Sequence, residues 1–161
     1  MRLRVALISA VLPLLAQPAA AADYVVFRND VVVDRPLDKT WARIGGYCAI
    51  ADWLKVTCEQ VSGSGDVGSV RKLNGSTMET MVACTAHSYT YWQTVGAMGA
   101  TSYHGTLQAD PVGKGKTRLT YTIFYDQSAL ASDAVRASER TRLATRFVQP
   151  LQEMKRLAER K

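Results

Sequence analysis

The stretch METMVACTAHSYTYWQTV, residues 78–95, has the pattern of two β-strands joined by a short turn. Both halves are rich in β-branched and aromatic residues, and Ala86-His87-Ser88 separates them. Similar short segments, with turns such as Asn74-Gly75 between them, continue the pattern on either side at residues 55–61, 69–73, 102–109 and 117–126. Six closely spaced strands with short turns predict an antiparallel meander.

Helical patterns flank this meander. Before it, residues 24–34 predict one more strand, and residues 36–44 predict a short helix that Gly45-Gly46 ends in the left-handed conformation. The segment GGYCAIADW, residues 45–53, predicts a second short helix or turn. From about Ser132 to Lys161 the apolar residues keep three- and four-residue spacing, which predicts a long amphipathic helix with a kink near residues 146–149 caused by Pro150.

This order of elements resembles the START-like, or SRPBCC, superfamily, which includes polyketide cyclases and dehydrases, lipid-transfer domains and plant hormone receptors. The resemblance covers nearly all of residues 23–161 and is carried by VVVDRPLDKTWARIGGY, DWLKVTCEQVSGSGDVGSVRKL, METMVACTAHSYTYWQT, SYHGTLQAD and RLTYTIFYD, followed by the terminal helix. It implies an α+β helix-grip fold. In that fold a curved seven-stranded antiparallel sheet surrounds a long C-terminal helix, two short helices follow the first strand, and a ligand occupies the cavity between sheet and helix.

The N-terminal residues predict export. Arg2 and Arg4 precede an apolar run, residues 5–16, and small residues then offer an Ala-x-Ala cleavage site before Asp23. The apolar run is shorter than the ~20 residues of a membrane-spanning helix. We therefore expect a cleaved signal peptide at residues 1–22, one ligand-binding domain at residues 23–161, and a periplasmic or secreted product.

The charge of the chain argues against nucleic acid as a partner. The formal net charge is +6, and removal of residues 1–22 leaves 18 basic and 14 acidic residues, a net charge of +4. This is a mild excess without the concentrated basic stripe of a nucleic-acid-binding protein. Basic residues do collect on the terminal helix, where they predict either a solvated face or transient contact with anionic lipid headgroups: Arg136, Arg140, Arg142, Arg146, Lys155, Arg156, Arg160 and Lys161.

Three cysteines, Cys48, Cys58 and Cys84, allow at most one internal disulfide. No base lies near Cys48 in the sequence, which argues against a catalytic nucleophile. The strand at residues 69–73 separates Cys58 from Cys84, which argues against that pair, and if a bridge forms the sequence favours Cys48 with Cys58. Otherwise Cys48 is a small packing residue. No cysteine and histidine spacing indicates a metal site, and we expect no metal or cofactor.

Strand alternation selects the side chains that face the cavity. It places Tyr89, Tyr91 and Gln93 on one face of their strand, and Tyr103, Tyr121 and Ile123 inward from theirs. The terminal helix would supply the opposite wall through Leu143, Phe147 and Leu151. These residues could equally form a packed core, but so many phenol hydroxyls are more typical of a ligand pocket.

Glu79 is the candidate catalytic or ligand-anchoring residue. The resemblance aligns it with an acidic position that faces the cavity in hormone-receptor members. An unpaired carboxylate there would have a raised pKa and could act as acid, base or ligand anchor. The alternative is an exposed carboxylate near a turn, since a slip of one residue in the strand register would turn it outward. His104 should point away from the cavity, and His87 should lie in a turn.

These observations predict an exported protein that binds a hydrophobic or amphipathic small molecule, such as a lipid, an isoprenoid or an aromatic polyketide-like compound. The alternative is a cyclase- or dehydratase-like enzyme that uses the same cavity, with Glu79 and a tyrosine exchanging protons with a bound ketone. The sequence does not indicate an oligomeric state.

Overall fold

The computed structural model describes residues 21–160. Residues 1–20, which hold most of the predicted signal peptide, lie outside that range. The described elements, in chain order, are β1 Tyr24–Val33, α1 Leu37–Ile44, α2 Ile50–Leu54, β2 Cys58–Ser62, β3 Val70–Leu73, β4 Thr77–Thr85, β5 Ser88–Val95, β6 His104–Pro111, β7 Thr117–Asp126, α3 Asp133–Ala144 and α4 Val148–Glu159.

The seven strands form one antiparallel sheet in the order β1-β7-β6-β5-β4-β3-β2. Strands β2 to β7 are therefore a meander, and β1 joins it at the far edge beside β7. Asn74 and Gly75 connect β3 to β4 with positive φ angles of 47° and 73°, the backbone that an Asn-Gly hairpin turn requires. The helices pack against the sheet, α4 lying against β1, α1 and α2. The predicted α+β helix-grip fold is confirmed.

The terminal helix is divided in two, as Pro150 predicts. Helix α3 ends at Ala144 and α4 begins at Val148, with residues 145–147 in a turn between them. Pro150 is in the first turn of α4, where a missing N–H is tolerated, and it cannot donate to the carbonyl of Arg146 as a continuous helix would require. Phe147, at the break, is 4% exposed and packs into the core.

The end of α1 corrects one prediction. Gly45 is at the C-cap with φ −85°, so it does not adopt the left-handed conformation expected of it. Its lack of a side chain is needed for another reason, since a Cβ there would lie 2.3 Å from two ring atoms of Trp41. Glycine at this position therefore makes room for an aromatic side chain.

A disulfide joins Cys48 to Cys58, with a Cα–Cα distance of 5.6 Å. Cys48 lies just before α2 and Cys58 begins β2, so the bridge ties both ends of the α2 segment to the sheet. Cys84 is free and exposed. Within residues 21–160 no helix is long and apolar enough to cross a membrane.

Candidate functional site

A pocket of about 190 Å³ lies between the sheet and the break that separates α3 from α4. Strands β3 to β5 and Tyr103 supply one side, and α2, the α3–α4 break and residues 97–98 supply the other. The lining residues are Ile50, Leu54, Val56, Leu73, Asn74, Thr77, Glu79, Tyr91, Gln93, Ala97, Met98, Tyr103, Arg142, Leu143, Arg146 and Phe147. Six of the ten predicted site residues are among them, namely Glu79, Tyr91, Gln93, Tyr103, Leu143 and Phe147.

The other four predicted residues, Tyr89, Tyr121, Ile123 and Leu151, do not line this pocket. Tyr89, Tyr121 and Ile123 face inward as strand alternation predicts, but these three and Leu151 of α4 are at most 2% exposed and pack in the core. Tyr121 stacks on Phe147 with ring centres 3.6 Å apart. Alternation identifies the inner face of a strand, but it does not show which part of that face the helices cover.

Three polar side chains form a row across β3, β4 and β5, and two of them, Glu79 and Gln93, line the pocket. Arg71 of β3 is the cross-strand partner of Glu79 of β4, and Glu79 is the partner of Gln93 of β5. Glu79 is 3% exposed and Arg71 is fully buried. The Nε of Arg71 donates to Oε2 of Glu79 at 2.8 Å. Glu79 therefore faces inward, and its carboxylate is not the unpaired group that the sequence suggested.

Arg71 was not predicted as part of the site, and its surroundings explain its burial. Its guanidinium carbon lies 4.3 Å from the ring centre of Tyr47 and 4.9 Å from that of Tyr91, so the cation is held between aromatic faces. Nη1 donates to the carbonyl oxygen of Tyr47. Nη2 is 2.6 Å from Oε2 of Glu79, at an angle that does not make a good hydrogen bond. Strand alternation could have indicated that Arg71 faces inward, because it places Arg71 on the same face of β3 as Leu73, which is buried.

Burial raises the pKa of Glu79, while the charge of Arg71 and its hydrogen bond act to lower it. Burial also acts to lower the pKa of Arg71, but nearby Tyr89 and Glu79 raise it, and the net direction is upward. Arg71 is therefore a permanent cation beside Glu79. The contacts of Arg71 are made to Oε2, which leaves Oε1 of Glu79 as the oxygen available to Gln93 or to a ligand.

Gln93 connects the floor of the pocket to a loop at its edge. Its Oε1 accepts a hydrogen bond from the backbone N–H of Met98 at 2.9 Å. Because the amide oxygen is used in this way, the amide nitrogen remains to donate to Glu79, and that hydrogen bond lowers the pKa of Glu79. Met98 and Ala97 line the pocket, so Gln93 links the loop to the carboxylate.

Two tyrosine hydroxyls add neutral donors to the pocket. Burial raises the pKa of Tyr103 to about 12 and that of Tyr91 well above its ordinary value. Both phenols are therefore protonated at neutral pH. Gly105 makes room for Tyr91, because a Cβ at that position would lie 2.4 Å from the Tyr91 hydroxyl.

Two arginines line the side of the pocket that α3 and the α3–α4 break form. Arg142 of α3 is paired with Glu139, with Nε 3.0 Å from Oε2. Arg146, in the break between α3 and α4, contacts no carboxylate among residues 21–160. The pocket thus combines apolar walls, a paired charge on its floor and an uncompensated cation at its edge.

A family model described as "Polyketide cyclase / dehydrase and lipid transport" matches residues 24–159. The chain belongs to this family. The match covers all the strands and helices described above, and no curated protein matches the sequence.

Solved structures share the fold of this polyketide cyclase/dehydrase and lipid transport family member. The Zhui aromatase/cyclase from a Streptomyces species has a TM-score of 0.70 and 17% identity, over 86% of this chain and 95% of that one. Truncated norcoclaurine synthase from Thalictrum flavum has a TM-score of 0.65 and 16% identity, over 90% and 100%. A protein from Nitrosospira multiformis has a TM-score of 0.64 and 23% identity, over 81% and 94%. At these identities the likeness concerns the fold alone.

The histidines of this family member lie away from the pocket. His104 stacks between Trp92 and Phe124 on the opposite face of the sheet, with ring centres 6.1 and 4.7 Å away. His87, in the β4–β5 turn, contacts Asp38 at 2.9 Å. Within residues 21–160 no group of three metal-ligating side chains lies together.

Most cations of the terminal helices are paired with acids on the same helix. The pairs are Arg136–Asp133, Arg142–Glu139, Arg156–Glu153 and Lys155–Glu159. Lys161 lies outside the described residues. This pairing reduces the positive charge that the helices offer to an anionic surface, and membrane contact stays a prediction.

Proposed function

We propose that this protein binds an amphipathic small molecule in the pocket between the sheet and the α3–α4 break. The observation that carries the proposal is that Glu79, Gln93 and Tyr103 line a pocket that otherwise has many apolar walls, with Glu79 held by the buried Arg71. Buried polar groups aimed into an apolar pocket fix the orientation of a ligand. A ligand hydroxyl would donate to Oε1 of Glu79, and a ligand carbonyl would accept from the Tyr103 hydroxyl.

The pocket volume narrows the ligand class. At about 190 Å³ the pocket is smaller than the roughly 300–1,000 Å³ that encloses drug-sized ligands. It accommodates a single ring or one end of a longer molecule. Among the ligand classes predicted from the sequence, this small volume favours an aromatic polyketide-like compound or one end of an isoprenoid over a complete lipid.

We also propose that the protein is exported, with residues 1–22 as the signal and a periplasmic or extracellular site of action. The disulfide between Cys48 and Cys58 supports this, because structural disulfides persist in oxidising compartments. Apolar burial against Leu143 and Phe147 would supply most of the binding free energy, at about 25 cal/mol per Å².

The alternative is an enzyme of the cyclase or dehydratase type that uses Glu79 as an acid or base. The specific observation in its favour is that burial raises the pKa of Glu79 inside the pocket. Its contact with Arg71 acts in the other direction, because a nearby cation holds the carboxylate ionised. The paired state of Glu79 therefore favours binding over proton transfer.

The test is native mass spectrometry of the protein purified from the organism that produces it, followed by organic extraction of the bound compound. The proposal predicts a bound organic molecule with at least one oxygen-bearing group. A protein recovered without a ligand would count against it. Glu79→Gln protein that circular dichroism shows to be folded separates the two functions, because a carrier has no turnover to lose, whereas an enzyme would bind the compound and fail to convert it.

A further inference from the structure

The pocket shares two wall residues with a second concavity on the surface. Leu54 and Arg146 line both the pocket and a groove of about 470 Å³ between the end of α2 and the first half of α4. We call this concavity the α2–α4 groove. The shared residues show that the groove and the pocket are neighbours.

The floor of the α2–α4 groove is apolar but contains an unpaired donor. Trp53, Leu54 and Pro150 line it. Trp53 is 2% exposed, and its Nε1 has no hydrogen-bond acceptor within residues 21–160. A buried donor without a partner is destabilising, and an acceptor that reaches it would offset that cost.

The rim of the groove is cationic. Lys55, Arg146 and Arg156 line it together with a single acid, Glu153. Glu153 contacts Lys55 at 3.2 Å and Arg156 at 2.6 Å. The hydrogen bond from Arg156 and the nearby Lys55 lower the pKa of Glu153 to about 2. Since Glu153 is shared between two cations, the rim retains an excess of positive charge, and Arg146 is the cation closest to the pocket.

We propose that the ligand extends from the pocket past Leu54 and Arg146 into the α2–α4 groove, and that it ends there in an anionic group, a carboxylate or a phosphate. This rests on the proposed function and specifies its ligand as an elongated amphipathic acid. The pocket alone is too small for a drug-sized molecule, whereas pocket and groove together fall within the usual range of roughly 300–1,000 Å³. The acid group meets Arg146, Lys55 and Arg156, and the apolar chain lies on Trp53 and Pro150.

The experiment compares three probes, namely phenylacetic acid, omega-phenyloctanoic acid and the primary alcohol of the same long chain. Binding is followed by calorimetry and by two-dimensional nitrogen–proton NMR, in which the indole N–H of Trp53 gives its own signal. We expect phenylacetic acid to shift signals of the pocket alone. The long acid should also shift the Trp53 indole signal and bind about five-fold more tightly than the alcohol. A phosphate monoester of the alcohol tests whether phosphate serves as well as carboxylate.

Arg146→Gln should reduce the preference for the acid over the alcohol, whereas the control Arg28→Gln, which removes an exposed cation on β1, should preserve it. The inference is overturned if the long acid and the alcohol bind equally, or if the Trp53 indole signal does not move while pocket signals do. In that outcome the proposed function still stands. If no probe shifts any pocket signal, the result counts against the proposed function as well.

Discussion

At the scale of single residues, the buried pair of Arg71 and Glu79 is the feature that most distinguishes this pocket from a plain core. Both side chains are almost completely buried and lie on neighbouring strands. Removal of one partner from such a pair leaves an uncompensated charge, at a cost of about 3–5 kcal/mol. The pair therefore sets the charge of the pocket floor and also constrains the fold.

We expect Arg71→Met and Glu79→Gln each to lower the free energy of unfolding by about 3–5 kcal/mol, and the double variant to recover part of the loss. Denaturant unfolding measures all three. The matched control is Lys72→Met on the same strand, because the half-buried Lys72 pairs with the exposed Glu59 and that pair should contribute only about 0–1 kcal/mol. If the Arg71 and Glu79 variants lose as little free energy of unfolding as Lys72→Met, the result would contradict the structure.

Tyr103 gives a prediction about pH. Its pKa in the folded protein is about 12, against 10 for an ordinary phenol, mainly because of burial. Below pH 10 the phenol is protonated in both folded and unfolded states. Between pH 10 and 12 the unfolded state ionises first, so the contribution of Tyr103 to stability is lost as the pH rises through that range.

The measurement is the phenolate absorbance during an alkaline titration of the wild type, minus that of Tyr103→Phe. The difference isolates one phenol, and its midpoint should lie near pH 12. A midpoint near the ordinary value of 10 would mean that Tyr103 is open to solvent and is not a buried wall of the pocket.

At the scale of elements, α2 is too short to hold its own position. It has only five residues, yet Ile50 and Leu54 form part of the pocket wall. Isolated helices of this length are unstable in water, so its place must come from tertiary contacts and from the disulfide between Cys48 and Cys58. The disulfide thus contributes to the shape of the pocket as well as to the stability of the domain.

Replacement of Cys48 and Cys58 together by serine should lower the free energy of unfolding by about 2–3 kcal/mol and weaken ligand binding. The control, Cys84→Ser, removes the exposed free thiol and should change stability by less than about 0.5 kcal/mol. A thiol count on the unfolded, non-reduced wild type should give one. A count of three would exclude the bridge.

At the scale of the whole molecule, the fold follows from local patterns. Short alternating strands, turns such as Asn74-Gly75 and a terminal helix interrupted near Pro150 each specify one element, and antiparallel neighbours in a meander need no further information. The predicted division of the terminal helix occurs at residues 145–147, within about one residue of its expected position. Glu79 faces inward because the register of β4 against β5 holds it opposite Gln93.

The site was less predictable, because it depends on packing between distant elements. Tyr89 and Tyr121 have the same strand pattern as Tyr91, but only Tyr91 lines the pocket. The difference arises from where aromatic residues of the helical segments, such as Tyr47 and Phe147, contact the sheet. The Arg71–Glu79 pair was missed because a charged side chain in a short strand is usually solvated.

The loop after β5 offers the most direct test of the central claim, that the ligand enters and occupies this pocket. Ala97 and Ala100 are both exposed in that loop, but only Ala97 lines the pocket. A tryptophan at position 97 should fill the pocket mouth, whereas the same side chain at position 100 should remain outside. The two variants therefore differ in pocket access and not in the type of substitution.

The decisive measurement is calorimetric titration of the extracted compound into wild type, Ala97→Trp and Ala100→Trp. The structure predicts that Ala97→Trp weakens binding by more than about ten-fold, or roughly 1.4 kcal/mol, while Ala100→Trp binds like the wild type. Equal affinity for all three proteins would place the ligand elsewhere and contradict the account.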